Sequence, residues 1–173
     1  MAEVVLRPML EPDLLGYKAL RDAMLSTYPD AFTSDAETES QRDLTSYRAR
    51  LSGGSQGGTL FTLLAVDDGR VIGALTCERE PRRKVQHIAH LVGMMVADTH
   101  RGRGIGRALL ASSLTRLQAV PGLAQVTLSV TSSNRVAIGL YASLGFERYG
   151  RLPDAIRLPD GRRLDKDLML RRL

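Results

Sequence analysis

Glycine and arginine alternate over a short stretch of this chain, and their spacing is suited to binding phosphate groups. The stretch covers residues 101–107 and directly follows an apolar segment that contains Met95 and Val96. The first N–H groups of a helix have no partner within the helix and carry the positive end of its dipole. Glycine leaves no Cβ between such N–H groups and a ligand, and arginine adds positive charge. We therefore predict a pyrophosphate site at the start of a helix, formed by Arg101, Gly102, Arg103, Gly104, Ile105, Gly106 and Arg107.

The order of residues in this stretch narrows the class of phosphate ligand. A Walker loop ends in Gly-Lys followed by Ser or Thr, whereas Gly106 is followed by Arg107. A dinucleotide-binding loop closes on Gly or Ala, where this chain has Leu109. The pattern Arg101-x-x-Gly104-x-Gly106 after an apolar strand resembles the acyl-CoA signature of the GNAT N-acetyltransferases. A glycine-rich turn with arginines for solubility is the alternative interpretation of this stretch alone.

Length and composition are those of an ordinary globular domain. The chain has 173 residues, of which 43% are hydrophobic and 25% charged, and we expect one domain over 1–173. The net charge of +5 is compatible with a nucleic-acid partner or with a phosphorylated cofactor. No basic stripe interleaved with aromatic residues is present in the sequence, and this disfavours nucleic acid.

Cysteine content and the N-terminus bear on the compartment. Cys77 is the single cysteine, which excludes an intramolecular disulfide and suits a reducing cytoplasm. It lies in an apolar run without metal-ligating neighbours, so we expect a packed thiol rather than a nucleophile. The sequence shows neither a signal-peptide pattern nor a run of 18 apolar residues. We expect a cytoplasmic protein that does not bind membranes.

The hydrophobic pattern predicts the elements that position residues 101–107, which we call the phosphate loop. Their order is β-α-α-β-β-β-α-β-α-β-β, which indicates an α/β fold with a mixed sheet of about seven strands and helices on both faces. Asp13 is predicted to cap the first helix, and residues 52–58 are predicted to be a loop. The predicted helices are 14–28, a second ending near 51, 106–120 and 134–144. The predicted strands are 4–9, 60–66, 71–77, 86–97, 126–130, 146–149 and 164–170.

A second motif strengthens the resemblance to GNAT proteins. Family members typically carry Asn-x-x-Ala-x-x-Leu-Tyr-x-x-x-Gly-Phe after the fifth strand. The matching positions here are Asn134, Ala137, Leu140, Tyr141, Gly145 and Phe146. The two motifs occur in the expected order, and residues 150–170 resemble small bacterial acetyltransferases of unassigned substrate. The resemblance covers about residue 60 to the C-terminus by motif, and the N-terminal helices only by topology. It implies the GNAT fold.

The resemblance also implies roles for individual residues. Acetyl-CoA would be the co-substrate and no metal would be needed, with Met94, Met95 and Val96 along the pantetheine and residues 101–107 at the pyrophosphate. Asn134 would hydrogen-bond the cofactor arm, although an N-cap of the last helix is an alternative or additional role. Tyr141 would contact the cofactor and act as general acid on the departing thiolate, whereas a core aromatic is the alternative.

The general base is not identified by the resemblance. Peptide-N-terminal members have a glutamate in the fifth strand, where this chain has Ser129, and serine cannot take that role. His90 is a candidate base, as are His87, Glu78 and Glu80, but a strand histidine is more often structural. A water relay or no dedicated base is equally compatible with the sequence. The acidic residues Asp35, Glu37 and Glu39 would either attract a cationic amine or form a solvated loop.

These observations lead to one functional hypothesis with two alternatives. We expect an acetyl-CoA-dependent N-acetyltransferase in which a primary amine attacks the thioester directly in a ternary complex, with no acyl-enzyme nucleophile. N–H donors for the thioester carbonyl are expected at a bulge near residues 94–96. The alternatives are an acyl-CoA sensor without turnover and a nucleic-acid-binding domain. The acceptor can be the amine of a small molecule or of a protein. A homodimer is also compatible with the sequence.

Overall fold

The computed structural model describes residues 3–52 and 58–173, and its main feature is a twisted sheet of seven strands. Residues 53–57, which include most of the predicted 52–58 loop, lie outside the described residues. The strands are β1 (Val5–Pro8), β2 (Thr59–Asp67), β3 (Arg70–Arg79), β4 (Ile88–Val96), β5 (Gln125–Thr131), β6 (Glu147–Arg157) and β7 (Arg163–Arg172). The α-helices are α1 (Leu14–Thr27), α2 (Ala36–Ser40), α3 (Ile105–Gln118) and α4 (Arg135–Ser143).

The strand order of the sheet is β1-β2-β3-β4-β5-β7-β6. The pairing of β4 with β5 is parallel, and the other five pairings are antiparallel. The β2–β3 connection is a two-residue hairpin turn at Asp68 and Gly69, which have φ angles of 47° and 73°. Positive φ at both central positions is the geometry that matches the strand twist, and it explains the Asp-Gly pair. The predicted mixed α/β sheet is confirmed.

Each face of the sheet is covered by helices. Helices α3 and α4 pack on one face, where α3 buries Leu109, Leu110, Leu114 and Leu117 at helical spacing. Helix α1 packs on the other face and buries Leu14, Tyr17, Leu20 and Met24. Cys77 lies in the first of these cores, and its burial raises the pKa of the thiol to about 12. The thiol is therefore a packed side chain, as predicted.

The N-terminal third differs from the prediction in two respects. Asp13 occupies the N-cap position of α1, but its side chain bonds no helix N–H group. Instead it accepts hydrogen bonds from the Arg7 guanidinium at 2.6 and 2.7 Å and from the Leu10 N–H. The predicted second helix is replaced by the short α2 and a 3-10 helix over Leu44–Arg50. Asp35 and Asp43 cap these two segments with their side chains and so separate them.

The C-terminal strands are longer than predicted. β6 extends to Arg157 rather than to residue 149, because a register shift between Leu152 and Ile156 accommodates Pro153 within the strand. A bulge at a sheet edge tolerates a proline, since the missing N–H has no ladder partner to lose. In the described part of the chain, no helix combines the length and the apolar composition needed to cross a membrane.

The packing of α3 on the sheet can be tested with Leu109→Ala. Leu109 is fully buried against Gly73, so its truncation should lower the free energy of unfolding by about 3 kcal/mol, within the usual 2–5 kcal/mol for buried leucine. Urea denaturation measures this difference. Leu15→Ala is the control, because Leu15 is 70% exposed and its loss should stay near 0.5 kcal/mol. Equal losses in the two variants would contradict the packing described here.

Candidate active site

A cleft lies where β4 and β5 separate. These strands pair only through Ile88–Gln125, Ala89–Val126 and His90–Thr127. Beyond these pairs the strands diverge, and a cleft of about 990 Å³ is lined by residues of both. Backbone groups along the cleft walls are therefore available to an extended ligand, which could add to the sheet by main-chain pairing.

A bulge in β4 accompanies this separation. Val92 is opposite Thr76 and Met95 is opposite Ala74, so β4 has one residue more than β3 over this interval. Gly93 lies within the bulge with a φ of 62°, a left-handed conformation that side chains rarely adopt. A bulge leaves a residue outside the regular ladder and reorients its N–H group. The bulge is close to where the sequence predicts carbonyl-polarising donors.

The loop between β4 and α3 exposes backbone N–H groups to the cleft. Gly102 and Gly104 have φ angles of 73° and 77°, and a Cβ built on either one has no atom within 4 Å. Gly104 is the N-cap of α3, and its carbonyl accepts the first helix bond from the Ala108 N–H at 2.9 Å. The N–H groups of residues 105–107 thus precede the first helix bond and are free for an anion.

Gly106 has a different reason for being glycine. Its Cβ would lie 3.1 Å from the Met94 Cε and 3.6 Å from the Leu140 Cδ2. Gly106 therefore allows the first turn of α3 to approach β4 and α4 closely, rather than providing a left-handed turn. The three glycines of the motif thus serve two physical purposes, which the sequence pattern alone does not separate.

The arginines of the loop are held in different directions. Arg101 stacks over the Tyr28 ring at 4.0 Å and pairs with Asp98 at 3.0 Å, while the Tyr28 hydroxyl donates to Asp98 at 2.6 Å. Arg107 lines the cleft and donates to the Ser143 hydroxyl at 2.8 Å. The Arg103 side chain lies outside the cleft lining, with its Nη1 3.9 Å from Asp67. Of the three side chains, those of Arg101 and Arg107 are placed to meet a ligand.

Tyr141 lies on the wall of the cleft. Its side chain is 9% exposed, packs edge-on against Phe146, and directs its hydroxyl to the Met94 Sδ at 3.5 Å. Burial raises the pKa of this phenol to about 12. The hydroxyl therefore keeps its proton throughout the neutral range, and thioether sulfur is a weak acceptor that a better one can replace. Tyr141 is both a core aromatic and a hydrogen-bond donor at the cleft.

Asn134 begins α4 at the same cleft. Its Oδ1 accepts a hydrogen bond from the Ala137 N–H at 3.2 Å, so the predicted N-cap is present. The amide nitrogen of this side chain has no hydrogen-bond partner in the described part of the chain. Since Asn134 lines the cleft, capping leaves its amide N–H groups available to a ligand. The two roles considered for Asn134 are compatible.

The candidate bases lie away from this cleft. His90 Nδ1 contacts the Thr127 hydroxyl at 2.5 Å and His90 Nε2 contacts Glu80 at 3.2 Å, at the paired end of β4 and β5. Glu78 is paired with Arg50 at 2.9 Å. Neither these side chains nor His87 belong to the cleft lining, whereas Ser129 does. The structure therefore gives no support to His90, His87, Glu78 or Glu80 as the base.

The acidic segment is also separate from the cleft. Asp35 caps α2, and Glu39 is buried in an ion pair with Arg21 at 2.6 Å. Asp35 and Glu39 border a second, smaller depression, and Glu37 is exposed. The interpretation of this segment as an attractant for an amine is not supported. Across residues 3–52 and 58–173, no group of three or more His, Cys, Asp or Glu side chains is arranged to hold a metal.

Several cleft residues were not predicted from the sequence. Tyr28, Asp30 and Thr33 line the cleft from the segment after α1, and Lys166 lines it from β7. The Tyr-Pro-Asp order at 28–30 indicates only the end of a helix, and Lys166 stands in an alternating strand pattern. These residues reach the cleft through contacts between distant parts of the chain, for which the sequence contains no local signal.

Comparison with known proteins assigns the chain to a family. Residues 17–146 match the Acetyltransferase (GNAT) family, and this range includes both sequence motifs. The chain belongs to this family. The GNAT match extends from α1 to the residue before β6 and so covers the β4–β5 cleft and the phosphate loop.

Named acetyltransferases are similar in sequence to about half of this GNAT chain. N-alpha-acetyltransferase 30 of Schizosaccharomyces pombe is 30% identical over 92 residues, which is 53% of this chain and 61% of the relative. Mycothiol acetyltransferase of Salinispora tropica is 38% identical over 88 residues, which is 50% of this chain and 29% of the relative. The chain therefore spans less than two thirds of the length of either relative.

Solved structures share the whole fold. Ribosomal-protein-alanine N-acetyltransferase from Brucella melitensis has a TM-score of 0.82 at 26% identity, covering 98% of this chain and 99% of that protein. The yncA protein of Salmonella typhimurium, solved with acetyl-CoA, has a TM-score of 0.79 at 21% identity, covering 99% of this chain and 95% of that one. The predicted GNAT fold is confirmed.

The burial of Tyr141 predicts an alkaline titration. In a difference titration between the wild-type protein and Tyr141→Phe, followed by tyrosinate absorbance, one phenol should ionise near pH 12. The direction follows from burial, which disfavours the charged form. Free tyrosine, which ionises at about pH 10, is the reference. A difference curve with its midpoint at the value of free tyrosine would show that this hydroxyl is solvated.

Proposed function

We propose that this chain is an acetyl-CoA-dependent N-acetyltransferase, in which a primary amine attacks the thioester directly in a ternary complex. The observation that carries this proposal is the cleft between β4 and β5. One end of the cleft meets the free N–H groups of α3, and a protonated Tyr141 hydroxyl lies on its wall. An acyl-CoA needs a site for its pyrophosphate, an extended path for its pantetheine, and a donor at its sulfur.

The residues of the cleft fit such a co-substrate. The open space around Gly102 and Gly104 allows a pyrophosphate to approach the N–H groups of residues 105–107, and Arg101 and Arg107 add charge. Along Met94, Met95 and Val96, the backbone of β4 faces the cleft where β5 has parted from it. A pantetheine arm can pair with this backbone like an added strand, and the amide of Asn134 can donate to it.

When bound, acetyl-CoA supplies an activated thioester, and the chain contributes alignment and hydrogen-bond donors. In the proposed complex, N–H groups at the Gly93 bulge would polarise the thioester carbonyl. The divergence of β4 and β5 leaves room for the amine beside the acyl group. Holding both reactants in one cleft converts a bimolecular step into an effectively unimolecular one, and this removes a large part of the activation barrier.

Tyr141 is best described as a hydrogen-bond donor to the leaving sulfur. Its phenol has a pKa of about 12, whereas a thiol has a pKa of about 8.5. Full transfer of the proton from the phenol to the thiolate is therefore uphill, but a hydrogen bond stabilises the charge as it develops. The proton that the free thiol finally carries can come from the amine or from water.

No dedicated base is part of this proposal. Asp30 is the one carboxylate in the described cleft lining, and it is paired with Arg162 at 2.8 Å. His100 is the one imidazole in that lining, and it contacts Asp67 at 3.0 Å and Thr99 at 2.8 Å. The amine can lose its proton to water in the open cleft, and partial desolvation lowers the pKa of an amine.

The names of similar proteins bear on the class of acceptor. One relative is named mycothiol acetyltransferase, and one solved structure with the same fold is named ribosomal-protein-alanine N-acetyltransferase, so these names refer to acceptors of different kinds. We propose an amine acceptor without metal assistance. A cytoplasmic location and a homodimer remain predictions of the sequence.

Tyr141→Phe tests the proposal because it separates binding from turnover. The variant should bind acetyl-CoA with an affinity within about threefold of the wild type, since the phenol contributes mainly in the transition state. CoA release in the presence of a panel of primary amines and peptides should fall about 100-fold, the lower end of the usual effect of removing one transition-state hydrogen-bond donor. Titration calorimetry and a thiol assay measure the two quantities.

Tyr149→Phe is the matched control, because Tyr149 is 61% exposed on β6 and should leave both quantities unchanged. Turnover by Tyr141→Phe at the wild-type rate would contradict the role given to Tyr141. If the wild-type protein binds acetyl-CoA but transfers the acetyl group to no amine, the chain is an acyl-CoA sensor instead.

A further inference from the structure

One part of the cleft contains a cation that has no counter-ion in the described chain. We define the lysine end as the cleft residues Asp30, Thr33, Ser129, Thr131 and Lys166. Lys166 is directly opposite Thr131 in the β5–β7 pairing, so the two side chains share one face of the sheet, and Ser129 is two residues away on that face. This end is formed by β5, β7 and the segment after α1.

The ammonium group of Lys166 is half-buried and has only a neutral partner. Its Nζ donates to the Thr33 hydroxyl at 2.5 Å, and no described carboxylate forms a salt bridge with it. Burial lowers the pKa of this amine, and no nearby carboxylate opposes the effect. A half-buried ammonium without a counter-ion is unfavourable, and an anionic ligand would relieve the desolvation.

The one carboxylate of the lysine end, on Asp30, has an arginine partner, which it shares with Asp160. Asp30 accepts two bonds from the Arg162 guanidinium, at 2.8 and 3.2 Å, and its backbone carbonyl accepts from the Thr131 hydroxyl at 2.6 Å. Ser129 is exposed to the cleft and uncharged. Lys166 is therefore the one charged group of the lysine end without an ionic partner among the described residues, and it is flanked by hydroxyl groups.

We infer that the acceptor amine bears a carboxylate a few bonds from its nitrogen, as amino acids do, and that Lys166 binds this carboxylate. The inference rests on the proposed function and narrows its acceptor class. A single ammonium with hydroxyl neighbours matches a singly charged carboxylate, whereas phosphate is more often held by arginine forks or by several backbone N–H groups. Lys166 is thus a specificity-determining residue rather than a base.

The test compares L-amino acids with their carboxamides, which lack the carboxylate that would meet Lys166. Each kcat/KM is calculated per deprotonated amine, because amidation also lowers the pKa of the neighbouring amine. The wild-type protein should use the acids at least about tenfold better in kcat/KM, the effect expected of one charge-assisted hydrogen bond. Lys166→Met should remove this preference by raising KM for the acids while leaving the carboxamides within about threefold. Lys166→Arg should retain the preference, since it keeps the charge.

Lys84→Met is the control, because Lys84 is exposed in the loop between β3 and β4. Equal use of acids and carboxamides by the wild type would overturn the inference, and so would a preference that survives in Lys166→Met. Turnover of peptide amines with no turnover of any acid would overturn it as well. Failure of the proposed function would appear separately, as a loss of acetyl-CoA binding by the wild type, which requires no acceptor.

Discussion

The separation of β4 and β5 after three paired residues is the constraint on which the cleft depends. If the two strands continued in register, their backbone groups would satisfy each other and no ligand could pair with them. The bulge at Gly93 re-aims β4 where the pairing stops, and the phosphate loop and α3 follow from its end. The proposed cofactor path, phosphate site and acceptor space therefore all depend on one local departure from regular sheet pairing.

A buried ion pair lies next to the bulge. A Cβ on Gly93 would lie 3.7 Å from the Arg21 Nη1, and Arg21 in turn pairs with Glu39 at 2.6 Å, both side chains being nearly inaccessible to solvent. Burial alone would raise the pKa of the Glu39 carboxyl, but bonds from Arg42 and Arg21 outweigh it and hold the pKa below its ordinary value. The pair fixes α1 and α2 relative to the bulge. A buried pair of this kind is costly to break because one charge would remain unpaired.

The sequence contains more local information about the proposed cofactor side of the cleft than about the proposed acceptor side, and the reason is physical. Phosphate binding uses backbone N–H groups presented by glycines at fixed spacing, so a local motif such as Gly102 to Gly106 carries the information. The lysine end is formed by contacts such as Arg162 to Asp30 and Lys166 to Thr33, which join residues 132 and 133 positions apart. Asp13 shows the same limit in a short-range case. A cap was predicted from its position, but Arg7 on β1 offers this carboxylate a stronger, charge-assisted partner.

The most direct test of the account is a calorimetric titration with acetyl-CoA of the wild-type protein, Gly104→Glu and Gly161→Glu. Gly104 and Gly161 have φ angles of 77° and 88° with open space around them, so the two variants carry similar backbone strain. Only a carboxylate at position 104 would block and repel a pyrophosphate at the start of α3. We expect micromolar-range binding by the wild type and Gly161→Glu, and binding at least about tenfold weaker by Gly104→Glu. No binding by the wild type, or equal binding by all three proteins, would contradict the assignment of the phosphate loop.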